Sequence, residues 1–306
     1  MARVAAIDCG TNSIRLLIAE SQGENLREIH RDMEIVRLGQ GVDATKSFDP
    51  EAIERTLNAL KRYAELIASK GVERIRFCAT SATRDARNRD LFVDGVKEIL
   101  GIEPEVISGA EEASFSFIGA TRELRGEGAP YLVVDIGGGS TEFVFGNDTV
   151  QASASVNIGC VRMSERHFTS QPPTPLEVAR AVRDIDEAIA DAARIVPIKE
   201  AKTLVAVAGS ATTVAAASLE LESYDRYSIH LSRIPAQKAI EVAQRFSLMS
   251  VEKLGELGYM HPGRVSVISA GSLVLSRVLI ATGAAEYVAS ESDILDGMAW
   301  ELIQRD

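Results

Sequence analysis

Two segments of this chain share one pattern: an apolar run, an aspartate, a turn of glycines and small polar residues, and a second apolar run. The aspartate is Asp8 in the first copy and Asp135 in the second. Short apolar runs bounded by turn residues predict strands, so each copy predicts a β-hairpin. Aligned on the aspartate, the returning strand carries Arg15 in one copy and Glu142 in the other. Related halves with opposite charges at matched positions indicate a cleft, with one side for phosphate and the other for metal or water.

Helical and strand patterns alternate through the rest of the chain. Asp49, followed by a proline, predicts the start of one helix. Thr174 and Glu177 have the spacing of a capping box at the start of another. A last helical pattern covers residues 294–304. Strands alternating with helices, together with the repeated hairpin, predict two α/β domains.

The predicted boundary between the domains is the polar stretch 125–130, which contains two glycines and a proline. A chain of 306 residues has the length of about two domains, each large enough for its own core. We therefore predict an N-terminal domain over residues 1–125 and a C-terminal domain over residues 126–293.

Charge and cysteine content exclude several classes of function. The net charge of −11 argues against broad binding to nucleic acid or to an anionic membrane, because both require a basic surface. Three widely spaced cysteines support neither a disulfide framework nor a zinc site. The N-terminus has no signal-peptide pattern, and no window of about 18 apolar residues predicts a membrane span. We expect a cytoplasmic protein, in which a local basic groove is still compatible with a polyanionic substrate.

Two adjacent carboxylates at a predicted helix start differ in their expected roles. Ser108 and Glu111 have the spacing of a capping box, which gives Glu111 a structural role. Glu112 lies about 100° further round the helix and is not used by that box. An acid near a helix N-terminus also matches the helix dipole. On this stretch alone, a structural and a functional role for Glu112 are both open.

Arginines follow the end of another predicted strand, where open α/β sheets place ligands. These are Arg84, Arg87 and Arg89, and a helix N-terminus beside an arginine makes an anion site. A solvated helix start, with neighbouring aspartates as partners, is the alternative. The turn 209–213 is either a further phosphate loop or a compact connection.

Together these candidates suit phosphoryl transfer to water. No P-loop lysine motif and no kinase-type set of motifs is present. Hydrolysis of a polyphosphate end requires its charge to be neutralised by arginine, backbone N–H groups and a divalent ion. Asp135, Glu142 and Asp8 supply the oxygen ligands that suit Mg²⁺. Glu112 is then the candidate that deprotonates or orients the attacking water.

Five motifs that occur in order resemble the exopolyphosphatase and guanosine-pentaphosphate phosphohydrolase family, a branch of the actin-like phosphotransferase superfamily. The resemblance covers nearly the whole chain, and a set of ordered motifs is far more specific than any one of them. The motifs are residues 8–15, 79–84, 107–113, 135–142 and 209–213.

The resemblance implies two actin-like (ribonuclease H-like) domains with the active site in the interdomain cleft, and a final helix, about 294–306, packing back on the N-terminal domain. It implies Glu112 as catalytic base and a divalent ion, Mg²⁺ or Mn²⁺, held by Asp135 and Glu142. Asp8 is a further candidate ligand, on the chemistry of its carboxylate oxygens alone. Relatives are often dimers, so a homodimer is a further expectation. The phosphate-binding candidates are Asn12, Ser13, Arg15, Arg84, Gly137, Gly138, Gly139, Ser140, Gly209 and Ser210.

Some features depart from the family pattern. Many longer members have a helical C-terminal extension that forms a basic channel for long chains, whereas this sequence stops at Asp306. Ser210 stands where many relatives have threonine, and the segment 290–297 lacks an arginine that is often found there. The missing extension bears on processivity and on preference for very long polyphosphate.

The leading hypothesis is an exopolyphosphatase, which hydrolyses the terminal phosphate of inorganic polyphosphate. The nearest alternative is removal of the 5′-γ-phosphate of guanosine pentaphosphate at the same site. Both substrates end in a phosphoanhydride, and the sequence does not separate them. An actin-like-superfamily kinase and a non-catalytic binder of guanosine tetraphosphate rank below these two.

Overall fold

The structure, a computed structural model, describes residues 3–23, 25–124 and 128–304. It divides into two compact units: one runs up to Gly119 and includes the residues from Ile294 onwards, and the other is Ala120–Asp293. The first three residues of the predicted boundary stretch 125–130, residues 125–127, lie outside the described residues. No helix in the three described stretches is long and apolar enough to cross a membrane.

The first unit contains a mixed sheet with helices on both faces. Its strands are β1 (Arg3–Cys9), β2 (Ser13–Gln22), β3 (Asn25–Ile35), β4 (Arg74–Ala79) and β5 (Glu105–Val106). Its helices before the boundary are α1 (Val42–Thr45), α2 (Pro50–Ser69), α3 (Ser81–Asp85), α4 (Asp90–Leu100) and α5 (Gly109–Thr121). The strand order is β3-β2-β1-β4-β5, in which β1, β2 and β3 pair antiparallel and β4 and β5 run parallel to β1.

The second unit repeats this arrangement and extends it by one strand. Its strands are β6 (Tyr131–Ile136), β7 (Thr141–Gly146), β8 (Val150–Val156), β9 (Thr203–Val207), β10 (Ser232–Pro235) and β11 (Glu286–Ala289). Its helices are α6 (Cys160–His167), α7 (Pro175–Ala193), α8 (Ala208–Ser218), α9 (Arg226–Ile229), α10 (Ala236–Ser247), α11 (Val251–Gly255) and α12 (Ile268–Thr282). The order β10-β11-β9-β6-β7-β8 contains the same antiparallel trio, here β6, β7 and β8.

The last helix, α13 (Ile294–Gln304), packs on the sheet of the first unit. Side chains of a strand alternate between the two faces of a sheet. Accordingly Ala5 and Ile7 join the core beneath α2, whereas Val4 and Ala6 pack against α13. Ion pairs between Arg31 and Asp296 and between Arg76 and Glu301 hold the helix in place.

Local sequence signals account for several elements. Both predicted hairpins are confirmed as β1–β2 and β6–β7. Asp49 caps α2 by accepting a hydrogen bond from the backbone N–H of Glu51 at 2.8 Å. The capping box of Thr174 and Glu177 is also present, at the start of α7.

The third strand of each trio was not predicted. β3 is rich in charged residues, and β8 consists largely of alanine and serine between two valines. Neither composition favours a strand by itself. Both segments become strands because the preceding hairpin offers them an edge to pair with.

Candidate functional site

The two hairpins place their charged residues in the same register. On β1 and β2, Asp8 lies directly opposite Arg15, whose Nη2 and Nε donate to Asp8 Oδ2 at 2.6 and 3.0 Å. On β6 and β7, Asp135 lies directly opposite Glu142. Side chains at such positions share one face, with Cβ atoms about 5 Å apart. The first unit therefore has a neutralised cross-strand pair where the second has two acids.

The acidic pair is buried, with Asp135 6% exposed and Glu142 fully inaccessible. Two ionised carboxylates directly opposite each other destabilise a sheet, and a cation bound between them removes that cost. Among residues 3–23, 25–124 and 128–304, no group of three or more acidic, histidine or cysteine side chains is arranged to hold a metal ion. Two carboxylates are nevertheless a suitable donor set for Mg²⁺, which usually keeps several of its waters.

The turn of the second hairpin directs its N–H groups to one side. The carbonyl oxygens of Gly137, Gly138 and Gly139 all accept hydrogen bonds from backbone N–H groups of residues 159–162, at 2.9 to 3.2 Å. In a trans peptide the C=O and the following N–H point in opposite directions. The N–H groups of Gly138, Gly139 and Ser140 are therefore directed away from α6, as an anion-binding turn requires.

The turn of the first hairpin has the same construction. Thr11 O accepts from Gly39 N at 2.8 Å, and Asn12 O accepts from the backbone N–H groups of residues 36 and 37 at 3.0 and 2.9 Å. By the same geometry, the N–H groups of Asn12 and Ser13 point away from that segment. Each turn is also closed by a matching bond, Gly10 N to Ser13 O in one and Gly137 N to Ser140 O in the other.

Two residues that support the second turn were missed by the sequence analysis. A Cβ on Gly159 would lie 2.3 Å from the carbonyl carbon and oxygen of Gly138, so only glycine permits this approach. Arg162, which is 6% exposed, donates from Nε to Gly139 O at 2.7 Å. Their role follows from the packing of α6 against the turn. The only sequence signal was a glycine directly before a helix.

The two adjacent glutamates at the start of α5, Glu111 and Glu112, have different hydrogen-bond partners. Ser108 N donates to Glu111 Oε2 at 2.8 Å and Glu111 N donates to Ser108 Oγ at 3.2 Å, which confirms the predicted capping box. The backbone and hydroxyl bonds from Ser108 lower the pKa of Glu111 from its ordinary value. The Glu111 carboxylate therefore caps the N-terminus of α5.

Glu112 points to a different partner. It is 9% exposed, and its Oε2 accepts a hydrogen bond from Arg84 Nη1 at 2.8 Å. The same nitrogen donates to Ile107 O at 2.9 Å, so the guanidinium is held between α3 and the segment that leads into α5. The structure thus brings the predicted base and a predicted phosphate-binding arginine into direct contact.

The third predicted loop lies at the start of α8, where Ala208 has a left-handed φ of 67°. Ser210 is buried and packs against Gly271 of α12, so a phosphate contact from Ser210 would use its backbone rather than its hydroxyl. The guanidinium of Arg264 covers Gly209, where a Cβ would lie 2.5 Å from its central carbon, and donates to Thr213 Oγ1 at 3.1 Å. Arg264 is a candidate site residue that no sequence motif marked.

Duplicated hairpin turns that present backbone N–H groups, with charged cross-strand pairs beside them, define a two-domain α/β protein of the phosphate-binding class. The model of the Ppx/GppA phosphatase family matches residues 17–304. Exopolyphosphatase 2 of Mycobacterium tuberculosis is 50% identical over 316 residues, covering 99% of each chain. A solved structure described as an exopolyphosphatase-like protein is 42% identical, with a TM-score of 0.96 over 99% of each chain.

A guanosine-5′-triphosphate,3′-diphosphate pyrophosphatase of Vibrio atlanticus is 30% identical over 308 residues, which cover 98% of this chain and 59% of that protein. The chain therefore belongs to the Ppx/GppA phosphatase family. Its two units are the actin-like α/β domains of that family, which confirms the predicted domain architecture, whereas the location of the active site stays a prediction. The roles assigned to individual site residues stay predictions.

Proposed function

We propose that this protein is an exopolyphosphatase that releases the terminal phosphate of inorganic polyphosphate. The observation that carries the proposal is the matched pair of hairpins, in which Asp8–Arg15 and Asp135–Glu142 occupy the same register. Each hairpin has backbone N–H groups that could bind an anion, and the second adds a buried pair of opposed acids whose oxygens suit a divalent cation. The name of the relative from Mycobacterium tuberculosis supports polyphosphate as the substrate.

The proposed cofactor is Mg²⁺, with Mn²⁺ as a substitute. Asp135 and Glu142 fit this role because they are buried acids in direct opposition. Asp8 fits less well, since two nitrogens of Arg15 already neutralise its charge. When bound, the cation would supply positive charge to the phosphoryl oxygens and so lower the barrier to attack.

Glu112 is the proposed general base. In the reaction, a water oxygen forms a bond to the terminal phosphorus while the bond to the bridging oxygen breaks, and the shortened polyphosphate leaves. The water proton passes to the Glu112 carboxylate, which the bond from Arg84 holds in a fixed position. Arg84 and the turn N–H groups bind the negative charge that the terminal phosphate carries.

The test is release of phosphate from short and long polyphosphate, with and without Mg²⁺. Glu112→Gln keeps an acceptor for Arg84 but removes the base, so turnover should fall roughly 10²–10⁴-fold with the fold intact. Glu111→Gln is the matched control: it changes the neighbouring carboxylate, which is bonded to Ser108, and should retain turnover. Near wild-type turnover in Glu112→Gln would remove that residue from the mechanism, and absence of Mg²⁺-dependent phosphate release from the wild type would contradict the proposal.

A second candidate function is hydrolysis of guanosine pentaphosphate, which the relative from Vibrio atlanticus favours. The same base and the same turns would act on its terminal 5′-phosphate. Parallel assays with this nucleotide decide between the two, because release from the nucleotide alone would replace the polyphosphate assignment.

A further inference from the structure

A third polar residue continues the row formed by the acidic pair. Ser155 on β8 lies directly opposite Glu142, as Glu142 lies opposite Asp135. Directly opposed residues in antiparallel strands lie on one face of the sheet, so the three side chains form a line across β6, β7 and β8. Ser155 Oγ donates a hydrogen bond to Glu142 Oε1 at 2.7 Å.

This hydrogen bond restricts the rotation of the Glu142 side chain. A glutamate has three rotatable torsions, and fixing them costs conformational entropy that a contact must offset. Glu142 is fully buried, whereas Ser155 belongs to the edge strand β8 and is exposed. Its hydrogen bond fixes the position of one carboxylate oxygen and hence the plane of the group.

We propose that Ser155 is a positioning residue: its hydroxyl fixes the Glu142 carboxylate in the orientation that forms a divalent-cation site with Asp135. The proposal rests on the proposed function for the presence of the cation at this pair. Ser155 acts through Glu142 rather than by contacting the ion. Groups that orient a metal ligand in this way typically change metal affinity roughly 10–100-fold when they are removed.

The primary experiment measures Mn²⁺ binding to the full chain without substrate, by electron paramagnetic resonance or calorimetry. Ser155→Ala should raise the Kd for Mn²⁺ roughly 10–100-fold. Ser155→Thr keeps the hydroxyl on a residue that strands accommodate and should restore much of the affinity. Ser153→Ala is the matched control, because Ser153 lies two residues earlier on the same face, opposite Val144 instead of a carboxylate.

A second readout separates positioning from a purely structural role. The Mg²⁺ concentration that gives half-maximal phosphate release should rise in Ser155→Ala, while kcat at saturating Mg²⁺ should stay near the wild-type value. If the hydroxyl only stabilised the sheet, Ser155→Ala would lower the Tm of the metal-free protein and leave its Mn²⁺ affinity unchanged.

A Kd for Mn²⁺ in Ser155→Ala within about twofold of that in Ser153→Ala overturns the proposal. Asp135→Asn and Glu142→Gln locate the binding site: if both keep wild-type Mn²⁺ affinity, the acidic pair does not hold the ion and the proposal also fails. Phosphate release by the wild type is scored separately, so failure of the hydrolase assignment is distinguishable from failure of the Ser155 assignment.

Discussion

Positions 15 and 142 carry opposite charges on equivalent strands of two hairpins. With Arg15 the cross-strand partner of an aspartate is a cation, and the pair is neutral within the protein. With Glu142 the cross-strand partner of an aspartate is a second acid, and both side chains are buried. One side chain therefore changes the charge of the cross-strand pair, although the register of the two strands around it is the same in both hairpins.

Glu177 shows how hydrogen bonds at one residue produce a pH dependence. Its carboxylate accepts from the hydroxyl and N–H of Thr169 and of Thr174, at 2.6 to 2.9 Å. These bonds, led by that from the Thr169 hydroxyl, lower the pKa of Glu177 from 4.5 to about 2. A depressed carboxyl pKa stabilises the folded state above the unfolded value, and the stabilisation disappears as the pH falls through the folded value.

We therefore expect the Tm of the wild type to fall more steeply than that of Glu177→Gln between about pH 4.5 and pH 2, where protonation removes the contribution of this carboxylate. Thermal melts across that range check the prediction. Glu187→Gln, at an exposed position of the same helix, should keep the wild-type profile. Parallel curves of Tm against pH for the wild type and Glu177→Gln would contradict the prediction.

At the scale of elements, the orientation of each hairpin turn depends on a segment that follows its trio of strands. The carbonyls of the second turn are bonded to the start of α6, and those of the first to residues 36–39. The turns are therefore oriented by partners that come after the third strand, β3 or β8. This is why the glycines could be recognised in the sequence while the direction of their N–H groups could not.

Gly159→Ala tests this dependence. The added Cβ would meet backbone atoms of Gly138 and Gly139 at 2.3 to 2.4 Å, and backbone cannot move aside as a flexible side chain does. We expect a loss of about 1–3 kcal/mol in the free energy of unfolding, measured in urea, together with lower phosphate-releasing activity.

Gly255→Ala is the control, since a Cβ there meets nothing within 4 Å and alanine favours a helix. It should leave activity unchanged and stability equal or slightly higher. Equal stabilities of the two variants would show that α6 does not constrain the turn.

At the scale of the whole molecule, the two units differ in how the chain builds them. The second unit is one continuous segment, Ala120–Asp293, with a core between its sheet and the helices α7, α8, α10 and α12. The first unit is completed only by α13, whose Leu295, Met298 and Ala299 are buried against β1 and β2. The second unit therefore has its whole core within one continuous segment, whereas the core of the first unit needs α13 from the end of the chain. We expect the two units to differ in their ability to fold alone.

Expressed separately, residues 120–293 should unfold cooperatively, whereas residues 1–119 should not, because the apolar face that includes Val4 and Leu17 would be exposed. Circular dichroism melts of both fragments provide the measurement. Adding a peptide of residues 294–306 should restore cooperative unfolding to the N-terminal fragment. A sharp melt of residues 1–119 alone would show that α13 is dispensable for that core.

The elements and residues that the sequence determined are those whose signals are local. Asp49 and Thr174 cap the helices that follow them, and Asp8 and Asp135 each precede a hairpin turn. Such signals act over a few residues, so neighbours in the chain are enough to specify them.

Only the tertiary structure decided the contacts between distant segments. The pair of Glu112 and Arg84, the approach of Gly159 to Gly138 and the bond from Ser155 to Glu142 join residues that the sequence separates by 13 to 28 positions. Sheet register and helix packing bring these residues together, and no local propensity encodes that geometry. The sequence by itself therefore determined the repeated hairpin and its charges, whereas the fold determined which groups hold those charges in place.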